Sequence, residues 1–225
     1  MCGRFTQHYT WEEVHAFLSV FGPPRNLRPR YNIAPTTTID VVRPGTEGRE
    51  LVPMRWGLVP GWWKKPLKEL PATFNARAES VATKPMFRNA FMERRCIIPT
   101  SGFYEWTGEK AKRQPHLFTA ANGSPILGFA GLWDRWRDPV STEEVLSATI
   151  IVCGASAWME EYHDRMPVIL APDDFDAWLN GTLPAAELKC APESALREWL
   201  VSPRLNRTGA GDDDPTIIKP PAAAA

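Results

Sequence analysis

The chain has 225 residues, enough for one domain with a buried core or a domain with a small extra lobe. Its 26 basic residues balance 26 acidic ones, which excludes a protein that grips long stretches of nucleic acid through overall positive charge and allows only a short, local footprint. Ten Trp, ten Phe and Pro residues scattered along the chain make a globular composition. There is no apolar run of membrane-span length and no signal-like start, so an intracellular, cytoplasmic protein is expected.

After a strand-like start, Thr10-Trp11-Glu12-Glu13 has the form of a capping box opening a helix over residues 14–21, which Gly22-Pro23-Pro24 stops. Runs of β character follow at 36–42 and 50–56, broken by Arg43-Pro44-Gly45. The loop Gly61-Trp62-Trp63-Lys64-Lys65-Pro66 sets aromatic beside basic side chains. A short helix with a basic face is predicted over 86–95, and strands over 96–98, 103–106, 117–120, 126–133, 145–153 and 168–170. Pro172-Asp173-Asp174 starts a helix through Leu179, and a β run at 196–201 precedes a polar tail. No repeat or linker divides residues 1–220, so a single domain is expected there, with 221–225 a short disordered end.

Cys2, Cys96, Cys153 and Cys190 stand far apart with no CxxC pair, which argues for reduced thiols rather than a zinc ribbon or disulfide scaffold. No His/Cys spacing suits a metal, and neither metal nor cofactor is expected. Arg25/Arg28/Arg30, Lys64/Lys65/Lys68 and Arg88/Arg94/Arg95 read as solvated surface charge when each is taken alone.

Cys2 is the position with distinctive chemistry. Removal of Met1 leaves a cysteine whose α-amine, with a pKa of about 7.7 to 8.0, lies beside a thiol near ~8.5, so both nucleophiles are available near neutral pH. Such a 1,2-aminothiol suits acyl transfer, or capture of an aldehyde as an imine that the thiol closes into a thiazolidine. Position alone leaves this chemistry and an ordinary second residue of a surface strand both open. In Thr73-Phe74-Asn75-Ala76-Arg77-Ala78-Glu79, an extended backbone puts Asn75, Arg77 and Glu79 on one side. Glu105 lies among aromatics in Gly102-Phe103-Tyr104-Glu105-Trp106, where burial favours its neutral form, although a pairing with Arg is the plainer reading of that segment alone. His163 in His163-Asp164-Arg165-Met166-Pro167 is adjacent to a carboxylate, whereas His8, His15 and His116 have no comparable setting.

Taken together, Cys2-Gly3-Arg4-Phe5, Tyr31-Asn32-Ile33-Ala34-Pro35-Thr36, Trp56-Gly57-Leu58, Phe74-Asn75-Ala76-Arg77-Ala78-Glu79, the Glu105 segment and the His163 segment resemble the SRAP (SOS-response-associated peptidase) family, in order from Cys2 to about Pro220. The resemblance implies an α+β fold, a single domain with a barrel-like, mainly antiparallel β core and flanking helices. It implies binding of single-stranded DNA and covalent attachment to abasic sites during the DNA damage response, by a monomer with no membrane partner. It also carries the older label of a thiol peptidase, a hydrolase that removes residues ahead of its own cysteine, and an associated lyase activity. By motif, Cys2 attacks, Asn75 positions its amine, Glu105 moves protons and His163 assists opening of the sugar ring. Arg4, Arg77 and Arg165 would contact phosphates, and Trp62 and Trp63, with Pro35, would meet the DNA strand. Pro85, where some relatives carry a second basic residue after Lys84, and a longer run from Trp62 to Asn75 are departures from the family pattern. Cys153, where some relatives have a hydroxyl residue, is given no role.

Overall fold

The computed structural model describes residues 2–109 and 112–220. Within them thirteen strands run in chain order: β1 (Phe5–Gln7), β2 (Arg30–Ile33), β3 (Thr38–Pro44), β4 (Arg49–Trp56), β5 (Asn75–Arg77), β6 (Arg95–Thr100), β7 (Gly102–Thr107), β8 (Gln114–Ala120), β9 (Leu127–Arg137), β10 (Glu144–Gly154), β11 (Arg165–Pro167), β12 (Ile169–Leu170) and β13 (Leu196–Leu200). Three helices flank them, α1 (Trp11–Leu18), α2 (Arg88–Glu93) and α3 (Phe175–Leu179).

Five strands close on themselves. The β3–β4 hairpin lies beside β6, β6 pairs with β9 and β9 with β10, all antiparallel. A parallel pairing of Ser147 and Ala148 on β10 with Arg55 and Trp56 on β4 completes the ring. Closure removes the free edges that an open sheet of these strands would present. β5 (parallel) and β11 (antiparallel) also pair with β10. A second sheet, in the order β13-β8-β7-β1-β2, is antiparallel throughout.

The core lies where the two sheets meet. Phe5 of β1 packs edge-on against Trp56 of β4 with ring centroids 4.8 Å apart, and Phe103 of β7 contacts both Phe118 and Phe129, at 5.1 and 5.8 Å. All five rings are fully buried. Truncating any of them to Ala costs about 3–5 kcal/mol. Gly102 begins β7 under a steric constraint: a Cβ there would lie 2.7 Å from the Phe118 carbonyl oxygen.

The capping box forms as expected, with Thr10 Oγ1 accepting from Glu13 N at 3.2 Å and Glu13 Oε2 accepting from Thr10 N at 2.7 Å. The helix ends at Leu18 rather than at residue 21, because Ser19 turns left-handed (φ 50°) and Val20 bridges to Arg49. The helix predicted over 86–95 shortens to Arg88–Glu93, since Arg95 already pairs with Leu132 in β6–β9. The polar tail also folds. Leu205 and Ile217 are fully buried against Tyr104, Leu117 and Val201, and residues 201–219 form a strap across the second sheet. The expected disordered end, 221–225, and Met1 lie outside the described residues. Among the described residues no helix is long and apolar enough to cross a membrane.

Candidate active site

Cys2 lies just ahead of β1 and is fully buried. Asn75 Nδ2 donates to the Cys2 carbonyl oxygen at 2.8 Å, which fixes the backbone of the residue expected to react. Asn75 is itself placed by the parallel pairing of β5 with Ile150 on β10. Its Oδ1 is buried without a hydrogen-bond partner among the described residues. Burial pushes the Cys2 thiol well above the usual thiol range, and the nearby Glu105 carboxylate adds to the shift.

Glu105 reaches the same place from β7. Tyr104 N donates to the Arg4 carbonyl at 3.0 Å, laying β7 alongside the residues that lead into β1. The Glu105 side chain is 3% exposed, and burial lifts its pKa from an ordinary 4.5 to about 7. Asp164 raises it further and Arg113 opposes the rise. A carboxyl group poised there can both give and take a proton near neutral pH.

His163 follows the short 3-10 turn Met159–Glu161, with its N–H bonded to the Met159 carbonyl at 3.0 Å. Its Nδ1 stands 3.0 Å from Arg165 N and 2.7 Å from Asp164 Oδ1. The neutral ring accepts the first contact with its proton on Nε2; a ring protonated at Nδ1 donates to the second. Burial lowers the His163 pKa, and the Asp164 carboxylate works against that shift.

The shared side of Asn75, Arg77 and Glu79 holds for the first two residues alone. β5 stops at Arg77, Ser80 N turns back to the Arg77 carbonyl at 3.1 Å, and Glu79 occupies a turn. Glu79 nevertheless joins the site's margin through an ion pair with Arg165. Arg77 is exposed, and Arg165 is half-buried on β11 opposite Gly154 of β10.

Arg4 also has partners within the chain. Its guanidinium donates to Asn32 Oδ1 at 2.5 Å, the Leu205 carbonyl at 3.1 Å and Thr208 Oγ1 at 2.6 Å, gripping the C-terminal strap. Asn32 Nδ2 bonds the Ala210 carbonyl at 2.6 Å, and Asp212 accepts from Asn32 N and Arg30 Nε at 3.0 and 2.8 Å. Trp62 is 45% exposed and Trp63 half-buried, in a loop held by Gly61 N to Asp134 at 3.1 Å and Trp136 Nε1 to the Trp63 carbonyl at 2.7 Å. Pro35 is half-buried and precedes Thr36, whose left-handed φ of 72° is costly for a β-branched residue.

The fold thus gathers Cys2, Asn75, Glu105 and His163, with Asp164 and Arg113 acting on the Glu105 carboxyl. Sequence reasoning gave Asp164 no role beyond that of a neighbour of His163, and it did not single out Arg113. It also missed His116, which pairs across strands with Glu105; alternation along β7 and β8 was the available signal.

The family model for SOS response associated peptidase (SRAP) matches residues 1–208. The abasic site processing protein YoaM of Bacillus subtilis is 37% identical over 186 residues, 80% of this chain and 79% of its own. The abasic site processing protein YedK of Escherichia coli is 33% identical over 193 residues, 83% of each chain. A crystal structure of a protein from Bacteroides thetaiotaomicron superposes with a TM-score of 0.86 at 25% identity, covering 97% of this chain and 99% of that one. With its family model matched from residue 1 to residue 208 and its fold shared almost end to end, the chain belongs to the SRAP family.

Proposed function

We propose that this protein binds single-stranded DNA and bonds covalently to abasic sites through Cys2 once Met1 has been removed. The observation that carries the reading is the 2.8 Å bond from Asn75 to the Cys2 carbonyl, which holds a two-nucleophile residue beside a carboxyl near pKa 7. The names of the relatives supply the substrate class.

When the deoxyribose of an abasic site opens, it presents an aldehyde. The freed α-amine of Cys2 adds to that carbon, and loss of water, with Glu105 shuttling the proton, gives an imine. The thiol then adds across the C=N bond. Sulfur bonds carbon, the thiol proton moves to nitrogen, and a five-membered thiazolidine results. Ring closure is intramolecular, where effective molarities reach roughly 10⁵ to 10⁸ M. It removes the imine that would otherwise acidify the neighbouring C–H and lead to strand cleavage by β-elimination, so the thiol protects the DNA backbone. His163, half-buried and with its pKa lowered by burial, exchanges a proton with the sugar ring oxygen as the ring opens. Arg77 and Arg165 supply phosphate contacts and exposed Trp62 a stacking surface worth about 1–3 kcal/mol per base. The balanced net charge agrees with a bond made at one nucleotide rather than with a long electrostatic footprint.

The peptidase reading is favoured by the family description and is served by the same Glu105 for release of Met1. The burial that keeps the Cys2 thiol protonated weighs against thiolate attack on separate peptides. The test mixes purified protein lacking Met1 with single-stranded DNA bearing one abasic site. A denaturant-resistant adduct is expected from the parent protein, none from Cys2→Ala and a more labile one from Cys2→Ser. Absence of adduct from the parent, or repeated cleavage of a peptide in its place, overturns the reading.

A further inference from the structure

We infer that His116, Glu198 and Tyr162 form a clasp that fixes the loop carrying His163, making them positioning residues for the Cys2 site; the inference rests on the reading of that site given above. His116 on β8 and Glu105 on β7 are direct cross-strand partners and therefore project from the same face of the sheet. The His116 ring is held at both nitrogens. Nε2 lies 2.7 Å from Thr107 Oγ1, and Nδ1 bonds Glu198 Oε1 on β13. With 8% of its surface exposed and two partners, this imidazole is locked in rotation.

Tyr162 lands on that ring edge-on, with centroids 4.9 Å apart and planes at 70°. Burial, and then the charge of Glu198, raise the Tyr162 pKa, so the carboxylate that bonds the β8 imidazole also lies beside the loop phenol. Phe118, two residues from His116 on the same face, meets Tyr162 at 5.0 Å and Trp158 at 5.6 Å, and Trp158 meets Tyr162 at 5.8 Å. The loop's backbone hydrogen bonds run largely back onto itself: Glu160 to Ser156, Tyr162 and His163 to Met159, and Ala155 to Asp164. Such bonds set the loop's shape but not its placement against the second sheet. The aromatic contacts set the placement, and Glu198 holds the His116 ring on which Tyr162 rests. His163 is the next residue, so any rotation of Tyr162 about the loop axis is passed to the His163 ring.

A plain apolar pocket would hold Tyr162 by area alone; an imidazole fixed by polar bonds at both nitrogens gives the phenol a single ring orientation to pack against. The arrangement therefore favours one loop position over neighbours of similar buried area.

Two variants test the clasp. His116→Phe keeps a ring under Tyr162 and removes both polar bonds, while Tyr162→Phe keeps the aromatic box and removes one hydroxyl. Adduct formation with abasic single-stranded DNA is timed for each, alone and combined with His163→Ala. Each should slow the reaction by about tenfold in the parent and by less than about twofold once His163 is absent, because residues acting through one group are not additive. Equal slowing in both backgrounds overturns the inference. Amide hydrogen exchange gives a readout independent of the chemistry: amides of residues 156–163 should exchange faster in both variants while those of β10 do not change. Unchanged exchange in the loop also overturns it. If the parent forms no adduct, the functional reading falls, and the exchange result alone decides whether the clasp holds the loop.

Discussion

Replacing Glu105 by Gln removes a titration while keeping side-chain size and most hydrogen-bonding capacity. Burial holds this carboxyl at about 7 in the folded protein against an ordinary 4.5. The folded state therefore retains a proton that the unfolded chain has released across that interval. For a pKa raised by folding, the contribution to stability is complete below about 4.5 and is lost as pH rises through about 7. Linkage turns that gap into about 2.5 kcal/mol of stability lost between pH 5 and pH 8, and Glu105→Gln has no such loss. The unfolding free energies of the two proteins, measured by urea titration at pH 5, 6, 7 and 8, should diverge by about 2.5 kcal/mol in favour of the variant. A chain of this size converts that into about 5–10 °C in Tm. His163, whose pKa is lowered by burial, titrates in both proteins and cancels in the difference. Stability curves that run parallel from pH 5 to pH 8 would refute the account of Glu105 as a carboxyl kept neutral by burial. The same substitution should slow adduct formation by about 10²-fold or more, the usual worth of a positioned proton carrier. The residue would then reduce stability at the pH where it is useful.

Asn75→Ala removes the donor to the Cys2 carbonyl and leaves that carbonyl buried. Adduct formation should slow by about 10- to 100-fold in a quenched time course, and an unchanged rate would show that Cys2 is seated by other contacts. Arg77→Ala alters an exposed side chain at the margin of the site. Non-covalent affinity for undamaged single-stranded DNA, measured over a salt series, should lose about 0.7 from its log–log slope if Arg77 contacts one phosphate. An unchanged slope assigns Arg77 to solvent.

The parts of the fold written in local pattern were legible in the sequence. Thr10 and Glu13 form the box their spacing predicts, and the runs over 96–98, 103–106, 117–120 and 145–153 are all strands, because β-branched and aromatic residues between turn signals have few other places to go. Asn75 and Arg77 do share a side, but the alternation could not announce that Ser80 would turn the backbone before Glu79. Ring closure was beyond reach for a different reason. Trp56 pairs with Ala148, and nothing within a window of either residue encodes a partner so distant in the chain. The same distance hid the setting of His116, whose carboxylate partner arrives from Glu198, and the engagement of Arg4, two of whose three acceptors are Leu205 and Thr208. The polar look of 202–219 concealed Leu205 and the Ile217-Ile218 pair, apolar residues too few to show a period.

The grip of Arg4 and Asn32 on the strap has a bearing on how the molecule comes into being. A chain is made from its amino end, yet β1 is an interior strand whose neighbour β7 and whose anchors at Leu205, Thr208 and Ala210 are synthesised much later. At about 5–20 residues per second, the two hundred or so residues between Cys2 and those anchors leave the start of the nascent chain unfolded for roughly 10–40 s. During that interval Cys2 lies outside the setting that Asn75 and Glu105 give it in the folded chain. Seating of the amino end is thereby a late event in folding, one that waits on residues 205–210.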